Sequence, residues 1–334
     1  MKQIRLFATI VFAAWVWLLP VFVSAASIRD GAEAEGKLMF YAAFNANDSK
    51  TLTDGFKKLY PKIDATFYRT TDAQLMERIL TENRAGQNLW DVAMTTSFYG
   101  HNLKKRGLFA AYDSPERKHF RDGYKDPEAM WTSIYTNYAA FGYDTRAVAQ
   151  SSLPKSHADL LKPEWKGQIG MDSKPYEWFG TIVKAMGDEK GLSFMRELAK
   201  LVQLRSGRTL VAQLVAAGEF KGALTAYSQT FEVLKPAGAP VDWVYVNPVF
   251  ANIHPVGISA KAPHPNAARL FMDFVLSRRG QERIRGMNRI PDRIDTPPGQ
   301  ARLIEGIKPA FAPTEVLEEF QRYAKMFDEI FGAR

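Results

Sequence analysis

The pattern of hydrophobic and polar positions predicts strands and helices that alternate along the chain. Residues 37–44 form a nearly continuous apolar run, which is typical of a strand buried on both faces. Leu52, Phe56 and Leu59 then lie on one side of a predicted helix, and residues 63–68 alternate as a strand does. A further strand over residues 89–95 completes a β-α-β-α-β order, which predicts a mostly parallel sheet covered by helices.

The same pattern starts again in the second half of the chain. Strands are predicted at residues 167–172, 201–204, 222–227 and 242–246, with helices between them. Two extended segments, residues 133–145 and 252–259, lie between the two halves. The chain should therefore leave a first α/β lobe, build a second and return, and two lobes joined in this way can close on a ligand by hinge bending.

The first residues have the form of an export signal. Lys2 and Arg5 precede an apolar run over residues 6–23, and Val23 and Ala25 occupy the positions that a signal peptidase favours. We expect residues 1–25 to be a cleavable signal peptide, with an uncleaved membrane anchor as the alternative. With no cysteine at the cleavage site, the protein is not a lipoprotein, and its expected location is the periplasm.

Composition and charge exclude several kinds of site. The 334 residues include no cysteine, which excludes disulfides, thiolate metal sites and a cysteine nucleophile. The net charge is +8, and residues 277–293 hold many of the arginines. A solvated basic face is the simplest interpretation, and docking on an anionic surface is the alternative. We expect no nucleic-acid partner, because no binding module of that kind is present in the sequence.

Motifs of the common enzyme classes are absent from the sequence. There is no Gly-x-Ser-x-Gly elbow, Walker loop, His-Glu-x-x-His pair or dinucleotide-binding glycine fingerprint, and the five histidines are scattered. We therefore expect a binding protein that has no cofactor and catalyses no reaction.

Several segments of the chain resemble one transport family. "APHPNAARLFMDFVLSRRGQERI" (residues 262–284) is similar to the late helix of solute-binding proteins of ATP-binding-cassette (ABC) importers, in the branch that contains the ferric-iron-binding proteins. In it, Pro265 should open a helix, Phe271 and Phe274 should face inward, and Gly280 should end it. "WDVAMTTS", "SGRTLVAQLVAAGEF" and "LKPAGAPVDWV" are similar to segments of the same branch.

This resemblance implies a periplasmic binding protein of the type 2 fold. It would carry a small-molecule solute to an ABC permease in the cytoplasmic membrane, and we expect it to act as a monomer. Residues 36–135 and 256–285 are predicted to form lobe I and residues 136–255 lobe II. Residues 286–334 are predicted to form a C-terminal helical segment that the sequence assigns to neither lobe.

Polar residues that follow predicted strands are the candidate ligand contacts, because ligands of open α/β sheets lie beyond the carboxyl ends of the strands. The candidates are Asn45, Thr96, Ser97, Asp172, Ser173, Tyr176, Ser206, Gly207, Arg208, Thr209, Tyr227 and Ser228. Each serine or threonine has an alternative role as a helix cap, and Tyr176 has one as a core residue.

Arg208 is the strongest single candidate. Gly207 lets backbone N–H groups converge at the start of a helix, and the planar guanidinium suits a carboxylate or phosphate. A small organic or phosphorus-containing anion is therefore the expected solute.

Iron is the alternative that the resemblance raises. Ferric-binding members of the branch use a histidine, a carboxylate and two adjacent tyrosines, and these positions fall here on Asn45, Thr96, Ser228 and Gln229. None keeps the chemistry, and Tyr227 alone could supply one phenolate. We expect no metal site; an Fe(III)-binding protein and a membrane-tethered ligand sensor remain alternatives.

Overall fold

The computed structural model describes residues 25–332. The predicted signal peptide lies, except for its last residue, outside the described residues. Within residues 25–332, no helix is both long enough and apolar enough to cross a membrane.

Twelve helices and twelve strands make up the described chain, together with short 3₁₀ turns. The helices are α1 (Ala25–Glu35), α2 (Ala46–Leu59), α3 (Asp72–Arg84), α4 (Ser97–Lys105), α5 (Tyr176–Met186), α6 (Asp188–Ala199), α7 (Arg208–Ala216), α8 (Ser228–Leu234), α9 (Pro265–Leu276), α10 (Arg278–Gly286), α11 (Thr314–Glu318) and α12 (Phe320–Phe331). The strands are β1 (Lys37–Ala42), β2 (Asp64–Arg69), β3 (Val92–Met94), β4 (Phe109–Ala110), β5 (Thr132–Tyr138), β6 (Phe141–Asp144), β7 (Ile169–Asp172), β8 (Val202–Arg205), β9 (Gly222–Leu224), β10 (Val241–Val244), β11 (Val249–Ser259) and β12 (Pro309–Ala310).

The strands form two sheets. In the first sheet the order is β12-β11-β3-β1-β2, with β4 and β5 also paired to β11; in the second it is β10-β6-β9-β7-β8. β1 is parallel to β2 and β3, and β7 is parallel to β8 and β9. The antiparallel pairs all include β11 in one sheet and β6 in the other. The predicted parallel units are therefore present, and the crossing strands β11 and β6 make the antiparallel pairs.

Each sheet has its own apolar core. In the first, Phe40 of β1 and Phe56 of α2 pack on Phe271 of α9, with ring centroids 5.1 and 5.2 Å from that of Phe271. In the second, Phe179 of α5 packs on Phe327 of α12 at 5.7 Å. Burial of these aromatic side chains removes apolar surface from water, which is the dominant favourable contribution to folding.

The chain crosses between the sheets at three places. β5 of the first sheet is followed after two residues by β6 of the second, and β10 of the second is followed by β11 of the first. A third crossing, residues 311–319, leads from β12 to α12, which packs on α5 beside the second sheet. The sequence predicted the first two crossings and left the third open; the lobe boundaries stay a prediction.

Helix α1 was not predicted from the sequence. Ile28 and Ala32 are buried in the first core, and the carboxylate of Glu35 accepts hydrogen bonds from the backbone N–H of Asn266 and Ala267 at 3.1 and 2.8 Å. These two groups lie in the first turn of α9, where N–H groups have no partner within the helix. The end of α1 therefore caps α9.

The predicted end of the late helix was wrong. The helix that Pro265 opens ends at Leu276, and Ser277 then caps a second helix by accepting from the backbone N–H of Gly280 at 3.2 Å. Gly280 lies inside α10, where a methyl group would come within 2.2 Å of the Phe274 carbonyl oxygen. The glycine is needed for close approach of two helices, not for a helix end.

Candidate functional site

A cavity of about 160 Å³ lies between the two sheets, at residues that follow their strands. Its wall comes from α4 beside the first sheet, α5 and α7 beside the second, the crossing strand β11 and the start of α12. The lining residues are Thr96, Phe98, Tyr99, Lys174, Tyr176, Glu177, Arg208, Phe250, Asn252 and Phe320. Three of the residues predicted from sequence, Thr96, Tyr176 and Arg208, are among them.

Tyr227 is the point where three elements meet. It precedes α8, and its hydroxyl oxygen accepts hydrogen bonds from Nη1 of Arg208 and from Nδ2 of Asn252, the latter at 2.8 Å. The guanidinium carbon of Arg208 also lies 4.8 Å from the centroid of the Tyr227 ring. Burial raises the pKa of Tyr227, although Arg208 and Asn252 oppose the shift. The phenol is therefore protonated at neutral pH.

The loop before α7 aims Arg208 at the cavity. Gly207 has a φ of 104°, which favours glycine, and its backbone N–H donates to Oδ1 of Asp172 at 3.0 Å. The second carboxylate oxygen of Asp172 lies 3.6 Å from Nε of Arg208, too far for a hydrogen bond. Nε is buried and has no hydrogen-bond partner among the described residues. The guanidinium thus keeps one donor that the protein does not satisfy.

Thr96 lies on the opposite wall, and Ser97 follows it as the first residue of α4. The backbone N–H of Thr96 donates to Oδ1 of Asp72 at 2.8 Å, so that carboxylate caps the helix in place of a ligand. Ser97 is buried, and its hydroxyl has no hydrogen-bond partner within residues 25–332. The hydroxyl of Ser97 is the group of this pair that is left for a ligand or a water molecule.

Glu177 is a cavity residue that the sequence reasoning missed. It is the second residue of α5, and its Oε1 is buried without a hydrogen-bond partner in the described chain. Burial raises the pKa of Glu177 to about 7, while Ser97 and Arg208 oppose the shift. Its carboxyl group can therefore be neutral or charged near neutral pH.

Asn252 lines the cavity and is backed by two further buried amides, Asn137 and Gln229; we call these three residues the amide floor. Asn137 on β5 and Asn252 on β11 are direct partners across the antiparallel pair, so their side chains are neighbours on one face. Nε2 of Gln229 donates to Oδ1 of Asn137. Oε1 of Gln229 and Oδ1 of Asn252 are buried and have no hydrogen-bond partner among the described residues.

The remaining predicted residues lie outside the cavity lining. Asn45 caps α2 by accepting from the backbone N–H of Asp48 at 2.8 Å, and Ser228 is fully buried, where its hydroxyl accepts from Tyr245 at 2.9 Å. Ser206 and Thr209 are exposed, and the backbone N–H of Ser173 donates to Arg205. Ligand binding by the predicted residues stays a prediction.

Tyr176 combines its two predicted roles. It lines the cavity, and its ring packs edge-on against Phe320 and Phe327, with centroids 5.9 and 5.6 Å apart. The C-terminal helix thus supports one wall of the cavity.

Metal-binding side chains are not clustered in the described part of the chain. Within residues 25–332, no group of three or more His, Cys, Asp or Glu side chains is placed to hold a metal ion. His254, next to the amide floor on β11, is buried against Tyr135 with ring centroids 3.8 Å apart, and burial lowers its pKa to about 3. Around Tyr227 the available oxygen groups are one protonated phenol, neutral amides and the Glu177 carboxyl group, whose pKa burial raises to about 7. Fe(III) is a hard cation that prefers anionic oxygen ligands.

Comparison with known proteins gives one family. The model of the bacterial extracellular solute-binding protein family matches residues 87–314. The Fe(3+)-binding periplasmic protein of Serratia marcescens is 25% identical over 286 residues, which are 80% of this chain and 83% of that protein.

Solved structures give the same fold. Iron-bound HitA from Pseudomonas aeruginosa has a TM-score of 0.77 and 21% identity, covering 88% of this chain and 99% of HitA. AfuA from Actinobacillus pleuropneumoniae, solved with exogenous fructose-6-phosphate bound, has a TM-score of 0.73 and 20% identity, covering 90% and 99%. These likenesses confirm the predicted type 2 periplasmic binding fold.

Proposed function

The chain belongs to the bacterial extracellular solute-binding protein family, and we propose that it captures a small organic or phosphorus-containing anion between its lobes. The observation that carries the proposal is Arg208, whose guanidinium faces the cavity with its Nε buried and unsatisfied among the described residues. An anionic oxygen would satisfy this donor and gain a charge-assisted hydrogen bond.

Delivery of the anion to an ABC permease is the rest of the proposed role. In this proposal the protein acts as a monomer in the periplasm after its signal peptide is removed, and it catalyses no reaction. The family is described as solute-binding, and the relative from Serratia marcescens is periplasmic. Both descriptions support a carrier outside the cytoplasm.

Closure of the two lobes is the proposed mechanism of capture. Lobe I would comprise residues 36–135 and 256–285, and lobe II residues 136–255. The packing of α12 on α5 supports adding the C-terminal helix to lobe II. Since Thr96 and Arg208 lie on opposite walls, hinge bending would bring both walls onto the ligand.

Fe(III) is the second candidate, because the relative from Serratia marcescens is an Fe(3+)-binding protein. Against it stand the oxygen groups at the site, which are one protonated phenol, neutral amides and the Glu177 carboxyl group, whose pKa burial raises to about 7. The two candidates predict opposite results in a thermal-shift screen that includes both small anions and Fe(III)-citrate.

A thermal-shift screen of the cleaved protein with small carboxylates, phosphonates, phosphate esters, amines and Fe(III)-citrate tests the proposal. A ligand that binds only the folded state raises the melting temperature by mass action. A rise with an anion supports capture of an anion, whereas a rise with Fe(III)-citrate alone, and not with citrate, contradicts it. N-terminal sequencing of periplasmic material addresses the sensor alternative, because a start near Ala26 excludes a membrane tether.

A further inference from the structure

The amide floor points to a requirement beyond negative charge. We propose that the captured anion carries hydroxyl groups, and that these donate hydrogen bonds to Gln229 and Asn252 while the anionic end binds Arg208. This inference rests on the proposed capture of an anion and adds the chemical class of the rest of the molecule.

The three amides of the floor are buried, and neighbouring elements hold them in place. Asn137 is 6% exposed, and Gln229 and Asn252 are each 7% exposed. Strand pairing fixes Asn137 beside Asn252, and the start of α8 places Gln229 against Asn137. The amide nitrogen of Asn252 donates a hydrogen bond to the hydroxyl oxygen of Tyr227. The oxygen of the same amide has no partner in the described chain.

The unsatisfied atoms around the cavity are mainly acceptors. Three are acceptors: the amide oxygens Oε1 of Gln229 and Oδ1 of Asn252 and the carboxyl oxygen Oε1 of Glu177. Nε of Arg208 is a donor, and the hydroxyl of Ser97 can both donate and accept. Buried polar atoms in folded proteins are nearly always paired, so partners must come from a ligand or from water. A simple anion brings only acceptors, which satisfy Arg208 and leave the amide floor unpaired.

Hydroxyl groups suit this mixture of unsatisfied acceptors and donors better than ammonium or alkyl groups do. A hydroxyl both donates and accepts, so one chain of hydroxyls can satisfy the amide oxygens and still tolerate a neighbouring donor. An ammonium group only donates, and an alkyl chain does neither. The aromatic side chains of Tyr99, Phe250 and Phe320 offer the carbon skeleton an apolar wall.

Cavity size favours a short molecule. A volume of about 160 Å³ equals roughly five water molecules at about 30 Å³ each. A three-carbon polyol with one anionic group is therefore a suitable probe.

Isothermal titration calorimetry with three phosphate monoesters of equal chain length tests the inference on the cleaved full chain. The probes are sn-glycerol 3-phosphate, n-propyl phosphate and 3-aminopropyl phosphate. We expect the hydroxylated ester to bind about 10- to 100-fold more tightly than n-propyl phosphate, because it makes about two more hydrogen bonds. Equal affinities overturn the inference and leave the capture of an anion intact, and tightest binding of the aminated ester also overturns it.

Failure of the proposed function has a different signature. If neutral glycerol binds as tightly as its phosphate, binding does not require negative charge. The proposed capture of an anion is then wrong, and the requirement for hydroxyl groups stands. If the phosphate esters do not bind, the same comparison is made with D-glycerate and propionate. Absence of binding by both pairs contradicts the anion proposal and this inference together.

Two floor variants distinguish contact from a structural role. Asn252→Leu and Gln229→Leu should each lower the affinity ratio of glycerol phosphate to propyl phosphate about 3- to 10-fold. Both ligands are measured on the same protein, so a reduced folded fraction cancels from the ratio. Gln213→Leu, an exposed glutamine on α7, is the matched control and should leave the ratio unchanged. An unchanged ratio in both floor variants overturns the inference.

Discussion

Nδ2 of Asn252 lies 2.8 Å from the hydroxyl oxygen of Tyr227, and this hydrogen bond joins the strand that returns to the first sheet with a helix start beside the second. The same phenol oxygen accepts from Arg208. One oxygen therefore links a crossing strand, the loop before α8 and the charged wall of the cavity. A ligand bound to Arg208 would therefore lie next to the phenol that joins the two sheets.

Arg208→Ala should weaken the binding of an anionic ligand by about 1.5–3 kcal/mol, the usual value of a hydrogen bond to a charged group. Arg208→Lys keeps the charge but loses the planar fork, so its affinity should lie between those of Arg208→Ala and the wild type. Calorimetry with whichever anion the screen identifies measures both variants. Unchanged affinity in Arg208→Ala would remove this side chain from the site.

Addition of Fe(III)-citrate to the cleaved protein should produce no tyrosinate charge-transfer band in the visible spectrum. The reason is that burial raises the pKa of Tyr227, and its oxygen already accepts two hydrogen bonds from Arg208 and Asn252. Citrate without iron is the control for the anion itself. A coloured complex that disappears in Tyr227→Phe would establish a ferric ligand and contradict the proposed function.

Much of the fold could be predicted from the sequence because strand and helix periodicities are local. The strand predicted at residues 63–68 is β2 (Asp64–Arg69), and the apolar run at residues 37–44 contains β1 (Lys37–Ala42). The predicted end of the late helix was wrong because glycine at a close helix–helix contact has the same local signature as glycine at a helix end. Only the position of Gly280 against Phe274 distinguishes the two.

The site was harder to predict because some of its polar atoms belong to residues inside strands. Sequence patterns indicate a structural role for such residues and not a contact with a ligand. Arg208, Thr96 and Tyr176 follow strands, and the rule for open sheets found them. Asn137 and Asn252 lie inside the crossing strands, and their signal was a polar residue within an apolar run. Ser228 followed the rule but turned into the core toward Tyr245, since the first turn of a helix faces more than one way.

Asp292→Asn should make the protein less sensitive to pH between about 4 and 7. The Asp292 carboxyl group is buried against Ser133 and Thr136 of β5, and burial raises its pKa to about 7. An unfolded aspartate has a pKa of about 3.9, so in this range the folded state binds the extra proton. Rising pH therefore destabilises the wild type relative to the variant, by on the order of 4 kcal/mol at most.

Urea denaturation of both proteins across this range measures the effect. His254 acts in the opposite direction, because its folded pKa of about 3 makes stability rise with pH up to about 6.5. Taking the difference between wild type and variant removes that contribution. A stability difference that is the same at the two ends of the range would show that Asp292 does not titrate in this way.

Gly280→Ala should destabilise the protein by about 1–3 kcal/mol, the usual cost of overpacking a tight contact. The added methyl group would lie 2.2 Å from the Phe274 carbonyl oxygen and 2.8 Å from Cα of Val275, and these backbone atoms cannot move aside as a flexible side chain could. Gly286→Ala, in the same helix, is the matched control: nothing lies within 4 Å of the added methyl group, so the better helix propensity of alanine should leave stability unchanged or raise it by up to about 1 kcal/mol. Urea denaturation of the two variants separates packing from propensity, since the substitution is identical. Equal effects at both positions would mean that the α9–α10 junction tolerates a side chain and that Gly280 is not required there.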